Sequence, residues 1–470
     1  MPKEFETEPR NSHNIEVVAY PQLAPKAIVL DVDNTLYPRN SRYEVHRQEI
    51  QQNILEQILQ KSPKQIKGRT DAIQEEYNRE HKHKRFIPRL TSSEIAIRLG
   101  IDRQRWDEER TSLIHPEKYL SPDPHVPKVL NTLTEGYQLI LSSNSPSTIV
   151  RKILLALGCE LPEIDKYNLI TSDVVNASKP DPRFYMAIEE IFGISLSSCL
   201  SIGDNLINDG EVPVELGMGA VVVGNISQIK PAVDYIYDAT TSAKPFSFEE
   251  YVETHDFTQR SASIIGVTSR AGSGKTTFAQ KLAEAYVSHR KNINVFTVHS
   301  DQFFIMGSRE RSDWLYDPNI SEEERVQRRD QATWWDLSKM IKHITSLKDN
   351  DLANEDSALQ IKTVTPDYAK APARHQILII EGVPLPLLNP LIPFDRIFYL
   401  YTHPHVRKQR LFIRDGHKRN SEQLEDRFTI TQDFENKIFN RIVFPPHMTR
   451  VLNYTDPDNI TILPNTIPLR

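Results

Sequence analysis

Residues 26–35 read KAIVLDVDNT, and residues 263–277 read SIIGVTSRAGSGKTT. In each, a short apolar run ends abruptly in residues that carry charge or a flexible backbone. The run KAIVLD reads as a buried strand ending at Asp31. Beyond it, apolar strands alternate with helical text: YQLILSS (137–143), STIVRKILLALG (147–158), NLITS (168–172), PRFYMAIEEIFG (182–193), CLSIGD (199–204) and GAVVVG (219–224). Such alternation predicts a parallel sheet covered by helices on both faces. Between the first two strands lies polar helical text from about Tyr43 to Tyr119, with Ile50, Ile54 and Ile58 at helical spacing, an insertion read as a cap over the strand ends.

The second run opens another alternation, with NVFTVHSD (294–301), QILIIEG (376–382) and RIFYLYT (396–402) as further strands. The fold class is therefore α/β, with two doubly wound parallel-sheet domains. The expected division is an N-terminal tail over 1–24, a first domain over 25–242 with its cap at about 39–120, a linker over 243–261, and a second domain over 262–470. The linker reading rests on Pro, charges and the lack of a clear period in residues 243–261.

Composition narrows the function classes. The chain has 470 residues, 39% hydrophobic and 26% charged, enough apolar material for more than one core. A net charge of −6 argues against general nucleic-acid binding, which needs an extended basic surface. No apolar run reaches membrane length, and the first residues lack the apolar core of a signal peptide. With only Cys159 and Cys199, both in apolar surroundings, the sequence argues against a disulfide scaffold and fits a reducing compartment. The expectation is a cytoplasmic enzyme of small-molecule substrates, with no nucleic-acid or membrane partner and an oligomeric state the sequence leaves open.

In extended backbone, residues two apart face the same side, so Asp31 and Asp33 address one site. One carboxylate can attack phosphorus and the other can protonate the departing alkoxide. Ser143 and Asn144 end the strand 137–143, where a hydroxyl and N–H groups can hold phosphoryl oxygens. Lys179 precedes a helix and offers a cation. Asp204 and Asp209 follow the strand CLSIGD and supply hard oxygen ligands for Mg²⁺. All fall at the carboxyl ends of predicted strands, the edge where open α/β sheets bind ligands.

These motifs resemble the haloacid-dehalogenase superfamily of phosphatases over about residues 25–240. The resemblance implies Asp31 as the nucleophile forming an aspartyl-phosphate, Asp33 as general acid/base, Ser143 on the phosphoryl oxygen and Lys179 as the charge stabiliser. Asp31, Asp33, Asp204 and Asp209 make up the candidate metal set. DVDNTLYP (31–38) is similar to the first motif of the pyrimidine 5′-nucleotidase-like group, which implies a nucleotide phosphate as substrate.

In the second half, the small-residue loop after SIIGVTS has the pattern of a phosphate-binding loop. Gly272, Ser273, Gly274, Lys275, Thr276 and Thr277 are its nucleotide-binding candidates. The glycines let N–H groups close around phosphate, Lys275 reaches the β/γ-phosphates, and Thr276 ligates Mg²⁺. Asp301 ends a strand as a candidate base for a substrate hydroxyl. Glu381 ends another as a metal candidate. Arg407, Arg410 and Arg414 recur at helical spacing on one face, as a lid would require.

Together these resemble the uridine kinase family over about residues 262–460. That resemblance implies ATP and Mg²⁺ as cofactors, Asp301 as base, Arg410 and Arg414 as lid, and Asp330, Trp335 and Asp336 as acceptor-binding residues. Ser269 replaces the first glycine of the usual loop pattern, and the sequence departs from the uridine kinase pattern at Gln331-Ala332 and in DGHKRN (415–420) after the lid. Three readings stay open: a phosphatase joined to a nucleoside-like kinase, the same with a non-nucleoside acceptor (pantothenate, nicotinamide riboside or a sugar), or one half reduced to a nucleotide-sensing module.

Overall fold

The computed structural model of the chain describes residues 15–80, 90–241, 243–255, 262–290, 293–348, 362–363, 375–388, 391–417, 419–439 and 447–463. They fall into two compact units, one drawn from residues 1–242 and 403–405, the other from 243–402 and 406–470. Among the described residues, no helix is long and apolar enough to cross a membrane.

The first unit is built on strands β1 (Glu16–Ala19), β2 (Ala27–Asp31), β3 (Gln138–Ser143), β4 (Asn168–Thr171), β5 (Cys199–Gly203) and β6 (Gly219–Val222), in the order β1-β6-β5-β2-β3-β4. All neighbours are parallel except β1 against β6. The central strand β2 has helices on both faces, so Ile28, Val29 and Leu30 are fully buried and read as an unbroken apolar run. Strand β1 lies in the stretch expected to be a tail. At four residues, EVVA is too short for its pattern to separate it from loop, and pairing with β6 is what orders it.

The stretch read as a cap holds helices at Arg42–Leu59, Pro63–Glu80, Ser92–Arg98 and Arg103–Leu113. Their ends carry the caps that their sequences advertise. The Ser41 side chain accepts from Glu44 N–H, Thr91 and Glu94 form a reciprocal box, and Asp102 accepts from Arg105 N–H. Ile54, Ile66, Ala96 and Trp106 form a separate cap core.

The second unit holds β7 (Ala262–Thr268), β8 (Ile293–His299), β9 (Lys362–Thr363), β10 (His375–Glu381), β11 (Arg396–Tyr401), β12 (Thr449–Asn453) and β13 (Thr461–Leu463), in the order β13-β12-β11-β7-β10-β8-β9. The five inner strands are parallel, and β9 and β13 run antiparallel at the edges.

Residues 243–255, expected as linker, are built into this unit; 256–261 lie outside the described residues. A helix at Phe248–Thr254 follows the Ser247 cap, and Phe246, Tyr251 and Val252 enter the core with Phe278 and Phe398. Phe248 packs against the same core, and the polar residues between these side chains hide the face from a periodicity reading.

Candidate functional sites

The first site lies at the carboxyl ends of β2, β3 and β5. Asp31 is 5% exposed, and its Oδ1 lies 2.5 Å from Lys179 Nζ while its Oδ2 accepts from Thr35 Oγ1 at 2.9 Å. Lys179, itself buried, also donates to Asp209 Oδ1 at 2.8 Å and to Ser142 Oγ at 3.3 Å. Asp31, Asp204 and Asp209 bring carboxylate oxygens within 4.8 Å of one another. Gly203 makes room for this: a Cβ there would stand 2.3 Å from Asp209 Cγ.

Three carboxylates crowded around one lysine leave an excess of buried negative charge. Burial pushes the Asp31 carboxyl well above its usual range despite Lys179, with Asp209, Asp204 and Asp33 pushing the same way. Burial and Asp209 raise Asp204 to about 6. A hard dication would relieve that repulsion with oxygen donors of the type it prefers, so the donor set fits Mg²⁺. Asp33 is not in this cluster, contrary to its place in the expected metal set. Its side chain turns to hydroxyls instead, accepting from Ser143 Oγ at 2.5 Å, Ser145 Oγ at 3.2 Å and Tyr37 OH at 2.7 Å.

Burial works to raise the Asp33 carboxyl, but the Arg47 guanidinium, the hydroxyls of Ser143 and Tyr37, and Arg110 hold it below the ordinary range. Both arginines come from cap helices. The sequence reading gave no site role to them or to Tyr37, Ser145 and Thr35; the hydroxyls lay within or beside quoted motifs, whereas the arginines carried no motif at all. Asn144, expected to bind substrate, instead braces Lys179: its Nδ2 donates to Lys179 O at 3.1 Å and its Oδ1 accepts Lys179 N–H at 2.7 Å.

The second site is a cavity of about 490 Å³ in the other unit, lined among others by Lys275, Thr276, Asp301, Glu381, Arg410 and Arg414. Its loop turns through Gly272 (φ 79°) and Gly274 (φ 85°), both in the left-handed region. A Cβ on Gly272 would also stand 2.8 Å from Arg407 O. The helix Lys275–His289 starts directly after the loop, so its N-terminal N–H groups and dipole face the loop. Ser273 Oγ is buried with no hydrogen-bond partner among the described residues, an orphan that a phosphate oxygen would satisfy.

Thr276 Oγ1 donates to Glu381 Oε1 at 3.2 Å, and His299 Nδ1 lies 2.9 Å from the same oxygen. A hydroxyl and a carboxylate together again suit a hard dication. Asp301 stands at the cavity wall. Surrounding protein and the charge of Glu381 push its carboxyl upward, against Lys275, Arg414 and Arg311. Of the three arginines on the helix Pro404–Asp415, Arg410 and Arg414 line the cavity. Arg407 is buried beneath the loop, donating to Ala271 O at 3.1 Å and to Glu435 Oε2 at 3.3 Å.

The expected acceptor residues are placed differently. Asp330 and Asp336 are helix caps, accepting from Ala332 N–H at 3.1 Å and Lys339 N–H at 2.9 Å, and neither lines the cavity. Trp335 lines it, but its ring is stacked between Phe304 (centroids 4.9 Å) and Phe434 (5.7 Å), so neither face is open to a base.

Residues 25–212 match the family model of haloacid dehalogenase-like hydrolases. Residues 265–429 match the model of an AAA domain. The chain carries a haloacid dehalogenase-like hydrolase domain followed by a P-loop domain. No curated protein matches it in sequence. Among solved structures it is similar to a haloacid dehalogenase-superfamily phosphatase from Thermococcus onnurineus, at 20% identity over 44% of this chain and 96% of that one, with a TM-score of 0.28. It is also similar to a 2-haloacid dehalogenase from Pseudomonas syringae, at 16% identity over 45% of this chain and 98% of that one, with a TM-score of 0.30.

Proposed function

We propose that the chain is a bifunctional enzyme, a phosphomonoester phosphatase joined to an ATP-dependent kinase of a small-molecule hydroxyl. The observation that carries the first activity is the pairing of Asp31, held by Lys179, with Asp33, held by Ser143 two strand positions away in the same site. Asp31 attacks phosphorus as the ester oxygen departs, and Asp33, which takes up a proton when the anionic phosphate ester enters beside it, gives that oxygen its proton. Water then attacks the aspartyl-phosphate, Asp33 takes the proton from that water, and phosphate leaves. Lys179 holds Asp31 in place throughout. Asp31, Asp204 and Asp209 would hold Mg²⁺, which would supply charge neutralisation for the phosphoryl oxygens. Nucleotide 5′-phosphates are the first substrates to test.

In the second unit, the loop N–H groups and Lys275 bind the ATP phosphates. Asp301 takes the proton of the acceptor hydroxyl as its oxygen attacks the γ-phosphorus and ADP leaves. Thr276 and Glu381 would hold the accompanying Mg²⁺. Because Trp335 has no open face and Asp330 and Asp336 act as caps, the nucleoside reading of the acceptor loses the residues on which it stood.

The full chain is assayed for phosphate release from a phosphomonoester panel and for ADP release from ATP with an acceptor panel. Asp31→Asn should abolish the first alone and Asp301→Asn the second alone. One substitution silencing both activities would defeat the two-site reading.

A further inference from the structure

The wall of the second cavity beside Asp301 holds more half-buried positive charge than the protein itself answers. Arg427, on the helix Ser421–Phe439, lies over the Trp334 ring at 4.3 Å, and Arg311 lies over the same ring at 5.3 Å and over Phe304 at 3.9 Å. Two guanidinium groups therefore share one indole, and both residues line the cavity. Arg427 NH1 is buried with no hydrogen-bond partner among the described residues, and so is the indole Nε1 of Trp335.

The nearest carboxylate of the lid is already engaged. Asp415 pairs with Arg414 at 3.0 Å and with Arg419 at 3.6 Å. Burial, together with the charges of Arg311 and Arg419, drives Arg427 down to about 9, against the opposing pull of Tyr316 and Asp415. Burial and Arg419 also lower Arg311, although Asp301 opposes them. A buried cation is costly unless an anion pairs with it, and a guanidinium suits the flat fork of a carboxylate or phosphate.

We infer that the acceptor of the kinase carries an anionic group, a carboxylate or a phosphate ester, received by Arg427 and Arg311 with the indole N–H of Trp335. The inference rests on the kinase reading and narrows its substrate class to small hydroxylated anions. Placement supports it. Arg311, Arg427 and Trp335 line the same cavity as Asp301, the proposed base for the acceptor hydroxyl. The ATP phosphates have their own groups in the loop, Lys275 and the arginines of the Pro404–Asp415 helix. A neutral nucleoside offers nothing to offset the cluster.

The test uses the full chain with Mg·ADP saturating the loop. Tryptophan fluorescence is followed while malonate or inorganic phosphate is titrated, since Trp334 and Trp335 belong to the cluster. Each probe should give a saturable change, at least tenfold weaker in affinity in Arg427→Gln and partly restored in Arg427→Lys. The tighter probe tells a carboxylate site from a phosphate site. No change with either probe, or equal affinity in Arg427→Gln, overturns the inference.

The kinase reading is judged separately by ADP release from ATP with matched pairs, gluconate against glucose and ribose 5-phosphate against ribose, and with uridine. Preference for the anionic members supports the inference, and a neutral compound as best acceptor overturns it. Anion binding lost in Arg427→Gln, without ADP release from any pair, keeps the anion site and sinks the kinase reading instead.

Discussion

The Ser143 hydroxyl donates to Asp33 Oδ2 at 2.5 Å, tying the end of β3 to the proposed acid of β2. The same oxygen of Ser143 accepts the Ser145 N–H at 2.8 Å, so the hydroxyl proton is directed at the carboxylate. A hydrogen bond to a charged group is worth about 1.5–3 kcal/mol. Ser143→Ala should therefore lower kcat for phosphomonoester hydrolysis by roughly 10- to 150-fold and also lower the melting temperature, since the Asp33 carboxylate loses a donor, while Ser143→Thr should restore both. A parental rate in the variant would remove Ser143 from the machinery.

Gly203→Ala tests the acidic cluster without touching a charge. The added methyl would collide with the Asp209 carboxylate, which must then move out of the cluster. The Mg²⁺ concentration for half-maximal hydrolysis should rise at least tenfold, while ADP release by the other unit stays unchanged. If the Mg²⁺ titration is unaltered, Asp209 does not belong to the cation site.

Asp301 sets a pH limit for phosphoryl transfer. As a base it must be ionised, and surrounding protein together with Glu381 raises its carboxyl above the usual aspartate range. The kcat/KM for transfer should hold at neutral pH and fall on acidification, through a pKa above the ordinary value of about 3.9. The profile is measured on wild type and on Asp301→Glu. An acid limb at or below the ordinary value would contradict the crowding seen around this carboxylate.

The aromatic cluster at 246–252 fixes where the second unit can be cut. Phe246 lies 5.8 Å from Phe278 and 5.7 Å from Phe398 between ring centroids, and Tyr251 lies 5.0 Å from Phe398. Phe246→Ala should cost about 3–5 kcal/mol in denaturant unfolding. A fragment starting at Ala243 should melt cooperatively, and one starting at Thr258 should be much less stable. Equal stability of the two fragments would return this segment to the role of linker.

The cysteines offer a check on the first core. Burial pushes both Cys159 and Cys199 thiols up to about 12, so the thiolate is scarce at pH 8. Ellman's reagent should label neither in the native protein and both after guanidinium denaturation. Rapid native labelling would show that the core around them opens readily.

Much of this was legible because strand ends announce themselves. KAIVLD and SIIGVTS are apolar runs that stop at Asp31 and at the loop glycines, and only a buried strand followed by a site reads that way. Asp204 could be placed because it sits beside such an end, and Lys179 because it lies just before the helix Pro182–Phe192. Arg47 and Arg110 could not, since only the packing of cap helices brings them towards Asp33. Asp330 and Asp336 misled for a physical reason: an aspartate before a helix looks the same whether it binds a ligand or caps N–H groups. Trp335 misled only as a stacking platform, because sequence spacing does not say whether Phe304 and Phe434 already pack on its ring.

Glu435 is fully buried, accepts the Ala271 N–H of the phosphate-binding loop and pairs with Arg407. It shares its helix with Arg427, about two turns earlier. The loop and the anion-receiving wall thus hang on one rigid rod. Any free energy that this rod lends from one ligand to the other is returned in full. If an occupied wall raises nucleotide affinity by some factor, bound nucleotide raises affinity at the wall by the same factor, and two titrations in opposite order must give one coupling constant.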